Sequence, residues 1–323
     1  MINSVKELIQ SKEEIYNSQL DSDPRISQLL GECSSLEVVN FYDSVILNPY
    51  IPVVPFYQQI KLLLSRGRVL YGGARGGGRT EACLMGALQY VESPGWKVGI
   101  FRLTYPDLST PGAIMDRALE WMNMSYLGEL RPRWSDVTKT LVFPGGARVM
   151  FGHVQHEKYA GKYQGPEFHR IIFDEAVQFS ESKLTRISAA NRKREDDPLP
   201  LSIWYTGNPG GLSHEFFKER FVDGSGMFIN SRYVDNPYLN CVEYERVFDD
   251  IHDSDPILYR QWKFGDWEAV PEGKLFQREW FIKNKYTIIN EEILSVLRFW
   301  DLAATYEEDS GKSGGADWTV GLL

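Results

Sequence analysis

The chain has 323 residues, of which 43% are hydrophobic and 24% charged; this is the composition of an ordinary folded protein with a sizeable core, and it excludes disordered and collagen-like classes. The net charge of −9 argues against a surface that binds polyanions everywhere, although residues 131–194 carry twelve Lys and Arg against six Asp and Glu, and residues 239–272 three against nine. The best apolar stretch, residues 45–56, is broken by Pro49, Pro52 and Pro55, so no membrane span is expected.

Residues 1–14 interleave Lys and Glu with Leu and Ile and lack a small-residue cleavage site, so they predict a helix and not a secretion signal. Cys33, Cys83 and Cys241 are scattered and without metal-type spacing, as in a reducing compartment; the cytoplasm is the expected location. Residues 1–64 form a helical segment in this reading, with Val5, Leu8 and Ile9 at helical spacing and a proline-rich joint at 49–55. From Arg68 onward, apolar runs at 69–71, 97–103, 148–152, 171–173, 202–205 and 228–233 alternate with helical stretches. That alternation predicts an α/β domain over 65–238, with a mostly parallel sheet covered on both faces. Residues 239–290 are acidic and aromatic and read as a helical lid subdomain and linker, packed by Trp262 and Trp267. Within 291–323, the strand-like runs 297–302 and 318–323 flank a turn rich in Gly, Ser and acids and are expected to pair as a hairpin.

The first chemical signal is the run from Tyr71 through Gly72, Gly73, Ala74, Arg75, Gly76, Gly77, Gly78 and Arg79 to Thr80, set between an apolar strand and a helix-forming stretch at 81–91. Gly73 to Thr80 fits the phosphate-loop pattern G-x-x-x-x-G-K-S/T, with Arg79 in the Lys position. Glycines are needed there because backbone amides must wrap a phosphate closely, in conformations closed to side chains. The helix N-terminus then faces the anion. In this reading Thr80 offers a hydroxyl to Mg²⁺ and Arg79 a cation to the β- and γ-phosphates, although a planar guanidinium is no neutral exchange for an ammonium. A flexible glycine hinge is the alternative. Arg75 has two open readings: it reaches the γ-phosphate as charge develops, or it braces the loop against a neighbouring acid.

The strand Ile171-Ile172-Phe173 ends in Asp174 and Glu175. Carboxylates at the carboxyl end of a sheet strand suit an ATPase, the first holding the hydrated Mg²⁺ and the second polarising the attacking water. The run 201–205 ends in Thr206, Gly207, Asn208 and Pro209, placed to sense the γ-phosphate and pass its loss along the chain. Gln58 and Gln59, before the loop, are candidates to read an adenine edge, with a helix surface the expected home of at least one. His153 and His156 lack a third ligand and read as surface residues. Arg192-Lys193-Arg194 reads equally as a phosphate contact and as a solvated helix end.

These motifs, together with Phe101-Arg102-Leu103-Thr104-Tyr105-Pro106-Asp107-Leu108, Tyr163-Gln164-Gly165, Gly265-Asp266-Trp267 and Phe299-Trp300-Asp301-Leu302-Ala303, resemble the large terminase subunit of tailed bacteriophages from about Pro52 to the last residue. The resemblance implies a P-loop ATPase of the additional-strand, catalytic-glutamate type followed by an RNase H-like nuclease. It implies ATP-driven movement of double-stranded DNA into a procapsid, with a portal protein and a small terminase subunit as partners and a homo-oligomeric ring on the portal. Asp301 sits at the position of the first nuclease acid and Asp317 matches a nearby Asp-x-Thr pattern. The remaining ligands for Mg²⁺ or Mn²⁺ are expected beyond Leu323, so DNA cleavage is not expected of this chain. Arg79 departs from the family's usual Lys and puts the efficiency of hydrolysis in question. Two other functions remain open on the sequence: a helicase or remodelling ATPase, and a nucleotide-binding module with negligible hydrolysis.

Overall fold

The computed structural model describes residues 2–163, 165–270, 299–301 and 320–322. It divides into two units, Met1–Pro271 and Glu272–Leu323. The first is built on an eight-stranded sheet of β1 (Gly67–Gly72), β2 (Lys97–Arg102), β3 (Arg133–Ser135), β4 (Thr140–Val142), β5 (Arg148–His153), β6 (Arg170–Phe173), β7 (Ser202–Gly207) and β8 (Met227–Asn230), in the spatial order β3-β4-β5-β2-β6-β7-β1-β8. The six strands from β5 to β8 run parallel. Strands β6 and β7 are buried along their whole length, which is why they read as continuous apolar runs instead of alternating ones.

Each face of the sheet carries its own apolar cluster. One contains Val69, Tyr71, Val98, Ile100, Val149 and Trp204 and extends into the N-terminal helices through Tyr16, Ile26 and Phe41. The other contains Leu70, Phe101, Phe173, Tyr205 and Phe217. Period-2 alternation along the strands splits these residues between the two layers. The N-terminal helices Val5–Ser22, Pro24–Gly31 and Ser35–Phe41 are punctuated by local caps: Ser4 accepts from the Glu7 amide, Pro24 follows the capping Asp23, and Ser34 forms a capping box with Glu37. The proline-rich joint packs inward, with Ile51, Val54 and Phe56 buried.

Two expectations need adjusting. The run at 228–233 yields a strand only to Asn230, and Tyr233 opens a short 3₁₀ turn. An antiparallel extension, β3 and β4, joins the sheet at β5; its strands have three residues each, too short to show a period. Within 239–270 the chain forms helices Cys241–Ser254 and Pro256–Tyr259 and a widened turn, Arg260–Phe264. In the second unit, β9 (Phe299–Asp301) and β10 (Val320–Leu322) pair antiparallel as the expected hairpin.

Candidate nucleotide site

Three strand ends make the site. Strand β7 lies between β1 and β6, so the segment that begins at Thr206 separates the glycine loop leaving β1 from the acids leaving β6. This is the additional-strand arrangement.

The loop is shaped by glycine where no other residue fits. Gly73 (φ 117°), Gly76 (φ 78°) and Gly78 (φ 65°) hold left-handed conformations, and a Cβ on Gly73 would lie 2.1 Å from Asn230 Oδ1. Most of the loop carbonyls are pinned by neighbours. Gly72 O accepts from Ser231 N at 2.7 Å, Gly73 O from Asn208 Nδ2 at 2.8 Å and Gly76 O from Asn236 Nδ2 at 3.0 Å. Gly77 O accepts from both the Tyr71 hydroxyl and Ser231 Oγ at 2.9 Å, and Gly78 O from Gln59 Nε2 at 2.8 Å. Gly78 caps the helix Arg79–Leu88, whose first amides have no intrahelical partner and are the groups left for an anion.

Glu175 holds a left-handed backbone, φ 53°, a conformation that non-glycine residues keep chiefly where surroundings impose it. Its amide donates to Thr206 Oγ1 at 3.3 Å, and its carboxylate accepts from Arg79 Nη2 at 2.9 Å. The other terminal nitrogen of Arg79, Nη1, is buried and has no hydrogen-bond partner among the described residues. An orphaned guanidinium nitrogen at the mouth of a glycine loop fits a phosphate oxygen. Asp174 is buried, accepts from Thr206 Oγ1 at 2.7 Å and meets Arg102 Nε at 3.2 Å. Burial pushes its carboxyl above the usual range, and the Arg102 guanidinium opposes that shift. A carboxylate so desolvated suits a divalent cation. Among the described residues no group of three or more His, Cys, Asp or Glu could hold a metal, so an ion here would lean on Asp174, the Thr80 hydroxyl and phosphate oxygens.

Arg75 makes no ion pair with an acid among the described residues: its amide donates to Trp262 O at 2.8 Å and its guanidinium stacks 3.8 Å from the Trp262 ring centroid. Gln58 and Gln59 are both buried, so neither occupies a helix surface. Gln59 ties the loop to its helix and lines a cavity of about 380 Å³ with Val53, Val54, Gly78, Glu81 and Trp121; Gln58 is not among the lining residues. Gly207 pairs with Gly72, where a Cβ on Gly72 would come within 2.5 Å of Gly207 O. Trp267 stacks on His214 and meets Phe228 edge-on, so it packs on the sheet layer and not within the helical segment. Lys193 closes its own loop on Asp197 O and Leu199 O. Asp301 lies in β9 of the second unit, and Asp317 lies outside the described residues.

Sequence reasoning missed Ser231 and Asn236, and it held Arg102 and Gly265 only within motifs of the resemblance, with no role of their own. A Cβ on Gly265 would lie 2.5 Å from Gly73 C and 2.6 Å from Ala74 N. Only Arg102, a cation closing an apolar strand, carried a local signal. The rest act through contacts between distant segments.

The fold has solved counterparts. The large terminase of a thermophilic bacteriophage is similar at 18% identity and a TM-score of 0.52, covering 70% of this chain and 57% of that one. The same terminase in complex with ADP gives 18% identity and a TM-score of 0.51, with the same coverage. This chain thus spans little more than half the length of that relative. No curated protein sequence matches it. A family model described as terminase large subunit, T4likevirus-type, N-terminal, matches residues 70–283, about two thirds of the chain, and the protein belongs to that family.

Proposed function

We propose that this chain is the ATP-hydrolysing part of a motor that translocates double-stranded viral DNA into a procapsid. The observation that carries the reading is the junction of three strand ends, in which Arg79 of the glycine loop, Glu175 after β6 and Thr206 at the end of β7 share hydrogen bonds. ATP is the substrate that fits: loop amides and Arg79 for the phosphates, and the 380 Å³ cavity beside Gly78 for the nucleoside. Mg²⁺, held through Thr80 and Asp174, would neutralise phosphate charge. Glu175 takes a proton from water as the water oxygen attacks the γ-phosphorus; the bond to the β–γ bridging oxygen breaks, and ADP leaves carrying that oxygen. Arg79 absorbs charge on the phosphates.

Coupling runs outward from Asn208, whose amide holds Gly73 O. Two residues on, the Gly210 amide donates to His214 Nδ1 at 2.8 Å, which leaves the His214 proton on Nε2, 3.1 Å from Trp267 O. A shift of the loop on loss of the γ-phosphate is thereby passed to the segment around Gly265 and Trp267. The partners in this reading are duplex DNA, a portal protein, a small terminase subunit and further copies of the chain in a ring, in the host cytoplasm.

A second reading, nucleotide binding with negligible hydrolysis, is favoured by one observation: the Arg79–Glu175 pair occupies the carboxylate that would activate water. Phosphate release measured with and without duplex DNA separates the two. The motor reading expects turnover that rises with duplex; a flat, near-zero rate in both conditions leaves only the binding module.

A further inference from the structure

The face of β3, β4 and β5 that carries Arg133 and Arg148 has no role in nucleotide chemistry, and its side chains form a pattern. Cross-strand partners share a face, and the registers pair Arg133 with Val142, Val142 with Arg148, and Arg148 with Lys97. One row across four strands therefore carries three cations, with Ser135, Thr140 and Met150 in the next row. The opposite face of the same strands buries Leu141, Val149 and Phe151 in the core. The row lines a groove of about 460 Å³, walled by Pro166, Glu167 and Phe168.

Lys97, Arg133 and Arg148 are exposed, and none makes an ion pair among the described residues. The one acid on the groove, Glu167, lies 3.4 Å from Arg192. In a chain of net charge −9, three unneutralised cations in a row, beside the hydroxyls of Ser135, Thr138 and Thr140, describe a surface complementary to phosphate oxygens. Adjacent strands lie about 4.8 Å apart, so the row spans about 14 Å from β3 to β2. That length suits a run of backbone phosphates better than one small anion. Strand β2 begins at Lys97 and β5 at Arg148, so the row lies at the end of the sheet opposite to that of the glycine loop.

We infer that this groove binds the phosphate backbone of duplex DNA, a contact separate from the nucleotide site. The inference rests on the motor reading and names where that motor meets its track. The experiment is fluorescence anisotropy of a labelled 30-base-pair duplex of mixed sequence with the full chain, across a salt series. The wild type is compared with Lys97→Ala, Arg133→Ala, Arg148→Ala and the triple variant, with thermal melting as the folding control. Each lost phosphate contact flattens the slope of log affinity against log salt by about 0.9, so the triple variant is expected to lose two to three units of slope and at least tenfold in affinity near 100 mM salt, with unchanged melting. Poly-glutamate is expected to compete poorly. A folded triple variant with wild-type affinity and slope overturns the groove, as does a wild type that binds no duplex or prefers poly-glutamate. Absence of ATP turnover in a wild type that still binds duplex through this row strikes the motor reading alone.

Discussion

Arg79 and Glu175 lie 96 residues apart in the chain and meet at 2.9 Å, which makes the cation of the glycine loop a direct neighbour of the acid proposed to activate water. The guanidinium gives one nitrogen to that acid and leaves Nη1 buried without a partner among the described residues. Charge-assisted hydrogen bonds contribute about 1.5–3 kcal/mol, so Arg79→Ala is expected to weaken ATP binding by tenfold or more. Arg79→Lys, which keeps the charge, should stay within about threefold of wild type. Titration with a fluorescent ATP analogue checks both, and equal affinity for wild type and Arg79→Ala would remove the residue from phosphate recognition.

Thr206 donates to Asp174 and accepts from the Glu175 amide, so one hydroxyl fixes both acids. Thr206→Val leaves a buried carboxylate short of a donor, at a cost of about 1–3 kcal/mol. ATP turnover should fall at least tenfold, and Thr206→Ser should restore most of it. Wild-type turnover in the valine variant contradicts the positioning role.

Gly265, at φ 66°, touches the main chain of Gly73 and Ala74 so closely that Gly265→Ala must displace the loop or its own turn. We expect about 2 kcal/mol or more of destabilisation and weaker nucleotide binding, read by melting with and without ATP. Gly95, at φ 90° with open space around it, serves as control: Gly95→Ala suffers the backbone strain without the clash and should leave nucleotide binding intact.

Lys12 is buried in the N-terminal helical layer, its ammonium donating to Val45 O at 2.8 Å and Asn48 O at 3.0 Å. Desolvation lowers its pKa from 10.5 to about 7. A depressed lysine contributes stability that is complete above pH 10.5 and is lost as pH falls toward 7. Urea unfolding at pH 7 and pH 9.5 should therefore show wild type gaining on Lys12→Met as pH rises, by up to about 1.4 kcal/mol per pH unit. A difference that does not change with pH refutes the depressed pKa.

The sequence displayed the parts of this architecture that depend on local pattern. Six parallel strands were visible because their buried residues form unbroken apolar runs, as in Ile171-Ile172-Phe173, and the loop was visible because only glycine tolerates its backbone. The neighbours of the loop were not. Ser231, Asn236 and Trp262 hold it through bonds across more than 150 residues of chain, and nothing in their own surroundings marks them. Arg75 shows the same limit: its cationic character was legible, but its aromatic partner came from a helical segment whose packing only the fold decides. Strands β3 and β4, which carry Arg133 and complete the basic row, were too short to announce themselves.

In the proposed motor a triphosphate lies between the glycine loop and the twin acids, with Glu175 acting on water. Glu175→Gln tests it most directly, measured for ATP affinity by calorimetry and for phosphate release in the same preparation. Affinity is expected within about threefold of wild type, and phosphate release reduced at least a hundredfold. Turnover at the wild-type rate in that variant would contradict it.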